Sequence, residues 1–300
     1  MPKNKKDERG TEQRLAASKK LDRMSALEIV RLMNREDRKV ALAVGRKLPA
    51  IAAAVDAIVA AIRKGGRLFY VGAGTSGRMG VLDAAECPPT FGVSPKLVQA
   101  VIAGGKRAIT QAVEGAEDLA GNGERDLRRL RLTKRDVVVG IAASGTTPYV
   151  VGALKYARRL RAATVALTSN LRVPVGRIAK IVIAPEVGPE VLTGSTRLKA
   201  GTSQKMVLNM LSTGVMVRLG HAYENLMIDM LLTNDKLADR ALRLLAAGSG
   251  KSVSAAEHAL RAGGHDMRVG LVMLKLGVDA KEATRRLKMA HGDLRAALGE

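Results

Sequence analysis

The middle of the chain alternates short apolar runs with longer stretches of mixed polarity. Five apolar runs are bounded by Gly, Pro, Ser or Asn: residues 68–71, 97–98 with 100–102, 137–141, 164–167 and 181–183. Continuous apolar runs of this length are typical of strands that helices cover on both faces. The pattern therefore predicts an α/β fold in which helices flank a parallel sheet.

Helical periodicity lies on both sides of this central region. A capping box at residues 25–28 opens a first helix, and residues 41–63 form a second stretch rich in Ala, Ile and Val. Residues 199–219 have small and apolar side chains on several sides, which predicts a helix that is deeply buried or lies in an oligomer interface. Two further capping boxes, at residues 254–257 and 279–282, predict short helices in a small C-terminal bundle.

Changes in composition divide the chain into four parts. Residues 1–20 are rich in charge and poor in large apolar side chains, which predicts a basic, mobile arm. Residues 21–64 are predicted to form N-terminal helices, residues 65–220 the sheet domain, and residues 221–300 a C-terminal helical region.

The net charge is the unusual feature of the composition. The 300 residues are 47% hydrophobic, as in ordinary globular proteins, but 50 Lys and Arg against 28 Asp and Glu give a net charge of +22. Such an excess is common in nucleic-acid-binding proteins, yet four Tyr and two Phe without Trp provide few surfaces for base stacking. Because the basic residues are also spread along the chain, we interpret them as a solvated surface rather than a nucleic-acid interface.

Several classes of protein are excluded by composition. No apolar run reaches the roughly 18 residues of a membrane-spanning helix, and no apolar segment follows the charged N-terminus as in a secretory signal. The single cysteine, Cys87, cannot form an internal disulfide, and the four histidines show no zinc-binding spacing. We therefore expect a cytoplasmic protein without a disulfide scaffold, a zinc site or a membrane span.

The first apolar run ends in a glycine-rich loop, residues 72–77, which reads Gly-Ala-Gly-Thr-Ser-Gly. This spacing after a strand is the dinucleotide-binding fingerprint, which also needs an acidic residue about 20 positions further on. Residues 95–105 contain no acidic residue, so the loop does not predict a nicotinamide or flavin cofactor. Its hydroxyl-bearing residues, Thr75 and Ser76, are instead candidates for binding phosphate.

A second loop of the same kind follows the third run. Ser144, Thr146 and Thr147 precede Pro148, which suits the first turn of a helix whose N-terminus could hold a phosphate. Helix capping is the alternative interpretation, because Ser and Thr favour helix starts in any case. Two hydroxyl-rich loops on one parallel sheet lie along the same carboxyl edge, and this favours a sugar-phosphate site.

A third polar cluster lies at residues 188–199, in front of the predicted long helix. Ser195 and Thr196 could bind an anion there, and Arg197 and Lys199 add positive charge. Glu190 is a further candidate for contact with the substrate. Capping is again the alternative.

Four segments carry a resemblance to a known family. They are GAGTSGRMGVLDAAECPPTFG (72–92), EGAED (114–118), VVVGIAASGTTPYV (137–150) and GSTRLKAGTSQKMVLNMLSTG (194–214). Together they closely resemble the N-acetylmuramic acid 6-phosphate etherases, and the similarity extends from near Thr11 essentially to the C-terminus. Only the first ten residues and the high positive charge are atypical of that family.

The resemblance implies both a fold and a chemistry. The fold would be a sugar-isomerase (SIS) domain with a five-stranded parallel sheet, acting as a homodimer. The reaction would be cleavage of a lactyl ether from a phosphorylated amino sugar, without a metal or organic cofactor. The catalytic pair of the family falls on Glu86, in AAECPP, and on Glu117, in EGAED.

Two questions about this pair stay open from the sequence. Either glutamate could be the base and the other the acid. If a helix ran unbroken from Thr75 to Glu86, its rise of about 1.5 Å per residue would separate them by more than about 15 Å. The helix must therefore be short, or Glu86 must serve a site shared with a second subunit, which is the interpretation we favour.

Other functions remain possible on the same fold. A sugar-phosphate-sensing transcription regulator would add an N-terminal helix-turn-helix, for which residues 1–64 show no convincing recognition helix. A regulatory binding protein similar to glucokinase regulatory protein usually has two SIS domains, whereas this chain has room for one. Aldose–ketose isomerases share the fold but lack the segments around Glu86 and Glu117.

Overall fold

The computed structural model describes residues 9–300, so residues 1–8 of the predicted arm lie outside the described part of the chain. The chain divides into two compact units. The first contains the residues up to Ala85 together with Lys96–Ser212, and the second contains Glu86–Pro95 together with Thr213–Glu300. The N-terminal helices thus belong to the same unit as the sheet, and the sheet unit ends at Ser212 rather than at residue 220.

The first unit is built on a five-stranded, all-parallel sheet, as the sequence predicts. Its strands follow the five apolar runs closely: β1 (Leu68–Gly72), β2 (Val98–Ile102), β3 (Val137–Ile141), β4 (Ala163–Leu167) and β5 (Ile181–Ile183). Their order in the sheet is β2-β1-β3-β4-β5. β1 and β3 are buried along their full length, which explains why their sequences are continuously apolar.

Helices surround this sheet, and two of them continue into the second unit. In chain order they are α1 (Ala26–Gly45), α2 (Leu48–Arg63), α3 (Gly74–Phe91), α4 (Arg107–Thr110), α5 (Ala120–Arg129), α6 (Pro148–Arg159), α7 (Pro174–Ile178) and α8 (Lys199–Arg218). The capping box predicted at Ser25 and Glu28 is formed at the start of α1. The long helix predicted at residues 199–219 is α8, and both α3 and α8 cross the boundary between the units.

The two faces of the sheet are covered by different helices. A core cluster joins alternate strand residues such as Phe69 and Val138 to residues of α6 such as Leu154. On the opposite face Gly80 of α3 lies so close to Tyr70 that an added Cβ would be 2.9 Å from the Tyr70 Cβ. The sheet is therefore a buried layer, and ligands can approach it only at its edges or its strand ends.

Helices α5 and α6 pack with almost no space between their backbones. A Cβ at Gly152 would lie 1.9 Å from the Ala120 carbonyl oxygen, and one at Gly123 would lie 2.1 Å from the Tyr149 carbonyl oxygen. The Tyr149 hydroxyl also donates to the Asp126 carboxylate (2.8 Å). These contacts fix the start of α5, and with it the segment just before that helix, against the N-terminal turn of α6.

The described part of the predicted arm, residues 9–20, is folded against the sheet unit. It contains two short 3-10 helices, Gly10–Glu12 and Ala16–Ser18, and Thr11 is buried. The Thr11 N–H donates to Asn170 Oδ1 (3.4 Å), and Asn170 Nδ2 donates to the Thr11 hydroxyl (3.0 Å). This differs from the mobile arm that the composition predicts, because one buried threonine anchors a segment whose other side chains are mostly polar.

The second unit contains a bundle of short helices, as the sequence predicts for this region. They are α9 (Asp235–Ser249), α10 (Val253–Ala262), α11 (Met267–Leu276), α12 (Ala280–Met289) and α13 (Leu294–Leu298), around a core that includes Leu245, Leu260 and Leu271. Asp279 caps α12 as predicted. The prediction for α10 is wrong by two residues, because Ser252, not Ser254, accepts the N–H of Ala255 and begins the helix earlier.

None of the helices formed by residues 9–300 has the length and hydropathy needed to cross a bilayer.

The close packing of α5 on α6 predicts opposite effects for two glycine substitutions. Gly152→Ala should reduce the free energy of unfolding by about 1–3 kcal/mol, because its methyl group would overlap the Ala120 backbone. Gly121→Ala, also helical, has open space around its Cβ and should raise stability by up to about 1 kcal/mol. Urea denaturation followed by circular dichroism measures both. Equal stabilities of the two variants would contradict the packing described.

Candidate functional site

The candidate site lies where the order of strands in the sheet reverses. The chain passes from β1 outward to β2 and then returns to place β3 on the other side of β1. In open α/β sheets ligands bind at such a switch point, in the crevice beyond the carboxyl ends of the strands. Gly72, the last residue of β1, pairs in register with Ile141, the last residue of β3. The two hydroxyl-rich loops therefore start side by side.

The loop after β1 is a tight turn that leads directly into α3. A Cβ at Gly72 would lie 2.7 Å from the Gly77 backbone nitrogen, so the turn requires a glycine there. Thr75 and Ser76, half-buried, lie in the first turn of α3. The two predicted phosphate-binding hydroxyls are thus at a helix N-terminus on the carboxyl edge of the sheet, where backbone N–H groups favour anions.

The loop after β3 holds its hydroxyls in a small network. The oxygens of the Ser144 and Thr146 hydroxyls are 3.0 Å apart, and the Thr146 N–H donates to the Ser144 hydroxyl (3.3 Å). Gly145 between them has φ 76°, and a Cβ there would lie 2.2 Å from Val173 Cγ2, so the loop requires glycine. Thr147 occupies the N-cap position of α6 but makes no side-chain capping bond. Capping therefore does not account for the Thr147 hydroxyl.

Asn170, just after β4, is a residue of this edge that the sequence analysis missed. Its Nδ2 donates to the Ala143 carbonyl (3.0 Å) and to the Ser144 carbonyl (3.4 Å), and it is buried. The side chain therefore ties the β3–α6 loop to the end of β4. The sequence did contain a signal for Asn170. The apolar run of β4 is followed directly by Thr-Ser-Asn, which places these polar residues at the same carboxyl edge as the two loops.

Glu117 lies beside the first loop and is tied to the helix that follows the second. A groove of about 180 Å³ is lined by Ala73 and Gly74 of the first loop, by Arg78, and by residues 111–117. The Tyr149 N–H, in the first turn of α6, donates to the Glu117 carbonyl (2.9 Å). Because the Glu117 side chain is exposed, its carboxylate can meet a ligand in this groove.

Glu86 is not brought to this groove by its own helix. α3 runs without a break from Gly74 to Phe91, although it contains Pro88 and Pro89. The rise of an α-helix puts Glu86 roughly 16 Å along the axis from Thr75. The shorter helix considered in the sequence analysis is therefore absent, and Glu86, an exposed residue, falls in the second unit.

The third polar cluster approaches the first loop. A Cβ at Gly201, in the first turn of α8, would lie 3.5 Å from Thr75 Cγ2. The Gly201 N–H donates to the Thr196 carbonyl (2.9 Å), so Thr196 is held at the start of this helix, and Ser195 precedes it. Both hydroxyl-bearing residues are half-buried. The N-terminal ends of α3 and α8 are therefore neighbours, as a site built from all three clusters requires.

Glu190 and Lys199 have partners inside the protein instead. Glu190 is fully buried and accepts the backbone N–H groups of Lys199 (3.0 Å) and Ala200 (2.9 Å), which caps α8. Burial raises the pKa of Glu190, against the lowering effect of these two bonds. Glu190, which the sequence predicts to contact substrate, therefore caps the N-terminus of α8.

The Lys199 ammonium group lies in a buried ion pair with Glu36. Its Nζ donates to a Glu36 carboxylate oxygen at 2.8 Å, and the two side chains are 2% and 4% exposed. Burial acts to raise the pKa of Glu36, but hydrogen bonds and charge from Lys199 and Lys39 outweigh it and hold the pKa below the ordinary value of a glutamate. The positive charge assigned to substrate binding from the sequence is therefore neutralised in the interior.

Comparison with known proteins identifies the domain and close relatives. A model of the glucokinase regulatory protein N-terminal SIS domain matches residues 50–158, and a model of the SIS domain matches residues 107–214. A protein of Serratia proteamaculans named N-acetylmuramic acid 6-phosphate etherase is 56% identical, over 96% of this chain and 97% of its own length. A Yersinia pestis protein with the same name is 54% identical, over 96% of this chain and 98% of its own length.

Solved structures agree on the fold of the sheet unit. A phosphoheptose isomerase from Francisella tularensis matches 65% of this chain and 100% of its own, with a TM-score of 0.51 and 17% identity. A phosphoheptose isomerase from Neisseria gonorrhoeae gives the same TM-score at 18% identity, over 64% of this chain and 98% of its own. At such identities the likeness shows a common SIS fold and nothing about the reaction.

The buried pair predicts how Lys199 responds to substitution. Lys199→Met should lower the free energy of unfolding by about 3 kcal/mol, because it leaves the Glu36 carboxylate in the interior with only the exposed Lys39 as partner. Replacing both members, with Glu36→Leu and Lys199→Met together, should recover most of that loss. Chemical denaturation of the wild type, the two single variants and the double variant gives the coupling free energy between Glu36 and Lys199. If Lys199→Met unfolds like the wild type, the structural role assigned to Lys199 is wrong.

Proposed function

The chain belongs to the family of N-acetylmuramic acid 6-phosphate etherases, and on that premise we propose that it cleaves the D-lactyl ether of N-acetylmuramic acid 6-phosphate. The products are N-acetylglucosamine 6-phosphate and D-lactate, and the proposed setting is the recycling of cell-wall sugars in the cytoplasm. The observation that carries the proposal is identity of 56% over 96% of the chain to a relative of that name. The groove that places Glu117 beside the first hydroxyl-rich loop supports it.

The phosphate of the substrate is held at the switch point of the sheet. The hydroxyls of Ser144, Thr146 and Thr147 and the N-terminal N–H groups of α6 are suited to its oxygens. Thr75 and Ser76 border the same crevice, and Ser195 and Thr196 complete it from the start of α8. These groups bind the end of the sugar that does not react, and they fix the position of its reacting carbons.

The chemistry requires one base and one acid. An ether oxygen is a poor leaving group, but in the open-chain aldehyde the C2 proton is acidified by the neighbouring carbonyl, and the ether oxygen lies on C3. A base removes the C2 proton while an acid protonates the departing lactate oxygen, so the C3–O bond breaks and an unsaturated aldehyde forms. Water then adds at C3 and the proton returns at C2. General acid–base catalysis contributes about 10²–10⁴-fold per group.

We assign Glu117 as the C2 base. Its carbonyl is held by the Tyr149 N–H at 2.9 Å, and its segment lines the groove that begins at Ala73 and Gly74. The carboxylate is thus carried by a short anchored segment at the level of the bound sugar. This placement suits a base that must reach a single proton without moving the loops that hold the phosphate.

Glu86 is assigned as the acid, in a site completed by a second copy of the chain. The Glu86 side chain is exposed, and roughly 16 Å of helix separates it from Thr75. Both observations favour a role for Glu86 in the site of a neighbouring subunit. A homodimer with two-fold symmetry would supply Glu86 to both sites reciprocally. In the same site it would then activate the water that adds to C3.

A sugar-phosphate sensor or regulatory binding protein without catalysis is not favoured. The match to the glucokinase regulatory protein domain covers residues 50–158 alone, whereas the etherase relatives match almost the whole chain. The spread of the +22 charge along the chain argues against a nucleic-acid partner.

Release of D-lactate is the direct test of the proposed reaction. The purified protein, incubated with N-acetylmuramic acid 6-phosphate in EDTA, should release D-lactate in amounts equal to the N-acetylglucosamine 6-phosphate formed. An enzymatic D-lactate assay follows the reaction, and the substrate without its phosphate is the control. No lactate at any enzyme concentration would refute the proposal.

Hydrogen exchange in heavy water separates the two glutamates. Glu86→Gln should lower lactate release at least about 100-fold while exchange at C2 continues, because the base is intact. Glu117→Gln should stop both processes together. Mass spectrometry of the recovered sugar phosphate measures the exchange. If exchange survives only in Glu117→Gln, the two roles are reversed, and if both variants keep both activities, neither residue is catalytic.

Mixing the two inactive variants tests the shared site. In a two-fold dimer that pairs Glu117 of one subunit with Glu86 of the other, each mixed dimer regains one intact site. Random reassociation of equal amounts of Glu86→Gln and Glu117→Gln should then restore about a quarter of wild-type activity. If both glutamates serve the site of their own subunit, the mixture stays as inactive as its components.

A further inference from the structure

The first described residue of the chain touches the second phosphate-binding loop. Arg9 Nη1 donates to the Thr146 hydroxyl at 3.2 Å, across 137 positions of sequence. Thr146 is in turn bonded to Ser144, so the guanidinium group lies beside the hydroxyl pair proposed to hold the phosphate. From composition alone, Arg9 belongs to the predicted mobile arm, and nothing in the sequence assigns it a role.

The contact depends on a buried anchor two residues further on. Thr11 is 1% exposed and forms two hydrogen bonds with the Asn170 side chain, one as donor through its N–H and one as acceptor through its hydroxyl. The same Asn170 amide donates to the carbonyls of Ala143 and Ser144, in the loop that Arg9 touches. One buried side chain therefore fixes the loop and the segment that carries Arg9 relative to each other.

The positions of the cations near the loops indicate why the contact between Arg9 and Thr146 matters for phosphate binding. A phosphate bound at neutral pH carries up to two negative charges, and cationic donors roughly double the strength of its hydrogen bonds. Lys199 is committed to Glu36 in the interior, and Arg78 donates to the carbonyls of Ala108, Ile109 and Gln111. Arg9 Nη1 donates to a hydroxyl of the site itself, so this cation lies at the loop where the phosphate is proposed to bind.

We propose that Arg9 is a substrate-binding residue that provides a cationic contact for the sugar 6-phosphate. The inference rests on the proposed function for the identity of the sugar, but it concerns only the recognition of phosphate. A guanidinium group has several donors in one plane, so it can bind a phosphate oxygen while it keeps the Thr146 hydroxyl oriented. The phosphate would then be held between Arg9 and the N-terminus of α6.

The test is binding of N-acetylglucosamine 6-phosphate to the full-length protein, measured by calorimetry. Arg9→Gln should weaken this binding at least about tenfold, the loss expected for one charge-assisted hydrogen bond. Arg9→Lys, which keeps the charge but not the planar fork, should lose less. Arg23→Gln removes the same charge from an exposed position and should bind like the wild type.

Two further measurements separate phosphate recognition from a structural role. Inorganic phosphate should lose affinity for Arg9→Gln by a similar factor. In lactate release, KM should rise about tenfold while kcat changes by less than about twofold, because the phosphate contact is the same in ground and transition states. The proposal is overturned if Arg9→Gln binds the sugar phosphate within about twofold of wild type, or weakens N-acetylglucosamine without phosphate equally. These binding results stand whether or not lactate is released.

Discussion

Parallel pairing of β1 with β3 brings together two loops that are distant in sequence, and the candidate site depends on this pairing. Gly72 and Ile141 end the two strands in register, so the turns that follow start at the same level of the sheet. Each turn leads into a helix, α3 or α6, so both helix N-termini lie at the carboxyl edge of the sheet. A shift in this register would separate the hydroxyls even if each loop kept its own conformation.

The remaining parts of the edge are held by backbone contacts rather than by the reacting side chains. Glycines allow α5 and α6 to approach closely, and the Glu117 carbonyl is bonded to the Tyr149 N–H. Asn170 ties the second loop to β4 and to the N-terminal segment. The Glu117 carboxylate therefore stays available for substrate, because its segment is held through the Glu117 backbone carbonyl rather than through the side chain.

The location of charge matters more here than its total. The sequence has an excess of 22 positive charges, yet Lys199, one of the two cations expected at the third polar cluster, is neutralised by Glu36 in the interior. Arg9 was assigned to an arm because its neighbours are polar, and its contact with Thr146 depends on tertiary structure. The net charge calculated from composition applies to the protein surface as a whole. It does not indicate which Lys or Arg side chain contacts which loop.

The strands, the long helix α8 and the two hydroxyl-rich loops could be predicted from local pattern, because buried strands and helix starts leave a signature in adjacent residues. Glu117 and Glu86 came from resemblance, since an exposed glutamate has no local signature of catalysis. The capping role of Glu190 and the buried pair of Lys199 could not be predicted, because their partners lie far along the chain or in the backbone of a helix whose start is set by packing. Whether α3 is unbroken could not be predicted, because the sequence left a short helix as one of two alternatives, and the structure shows that the helix continues through Pro88 and Pro89.

A crystal structure of the Glu117→Gln protein with N-acetylmuramic acid 6-phosphate would locate both the phosphate and the reacting carbons of the sugar. We expect the phosphate within hydrogen-bonding distance of the Ser144 and Thr146 hydroxyls, with C2 of the sugar facing residue 117 and C3 facing Glu86 of a second subunit. A phosphate bound away from the switch point, for example in the groove between residues 14–22 and 191–193, would refute this location of the site.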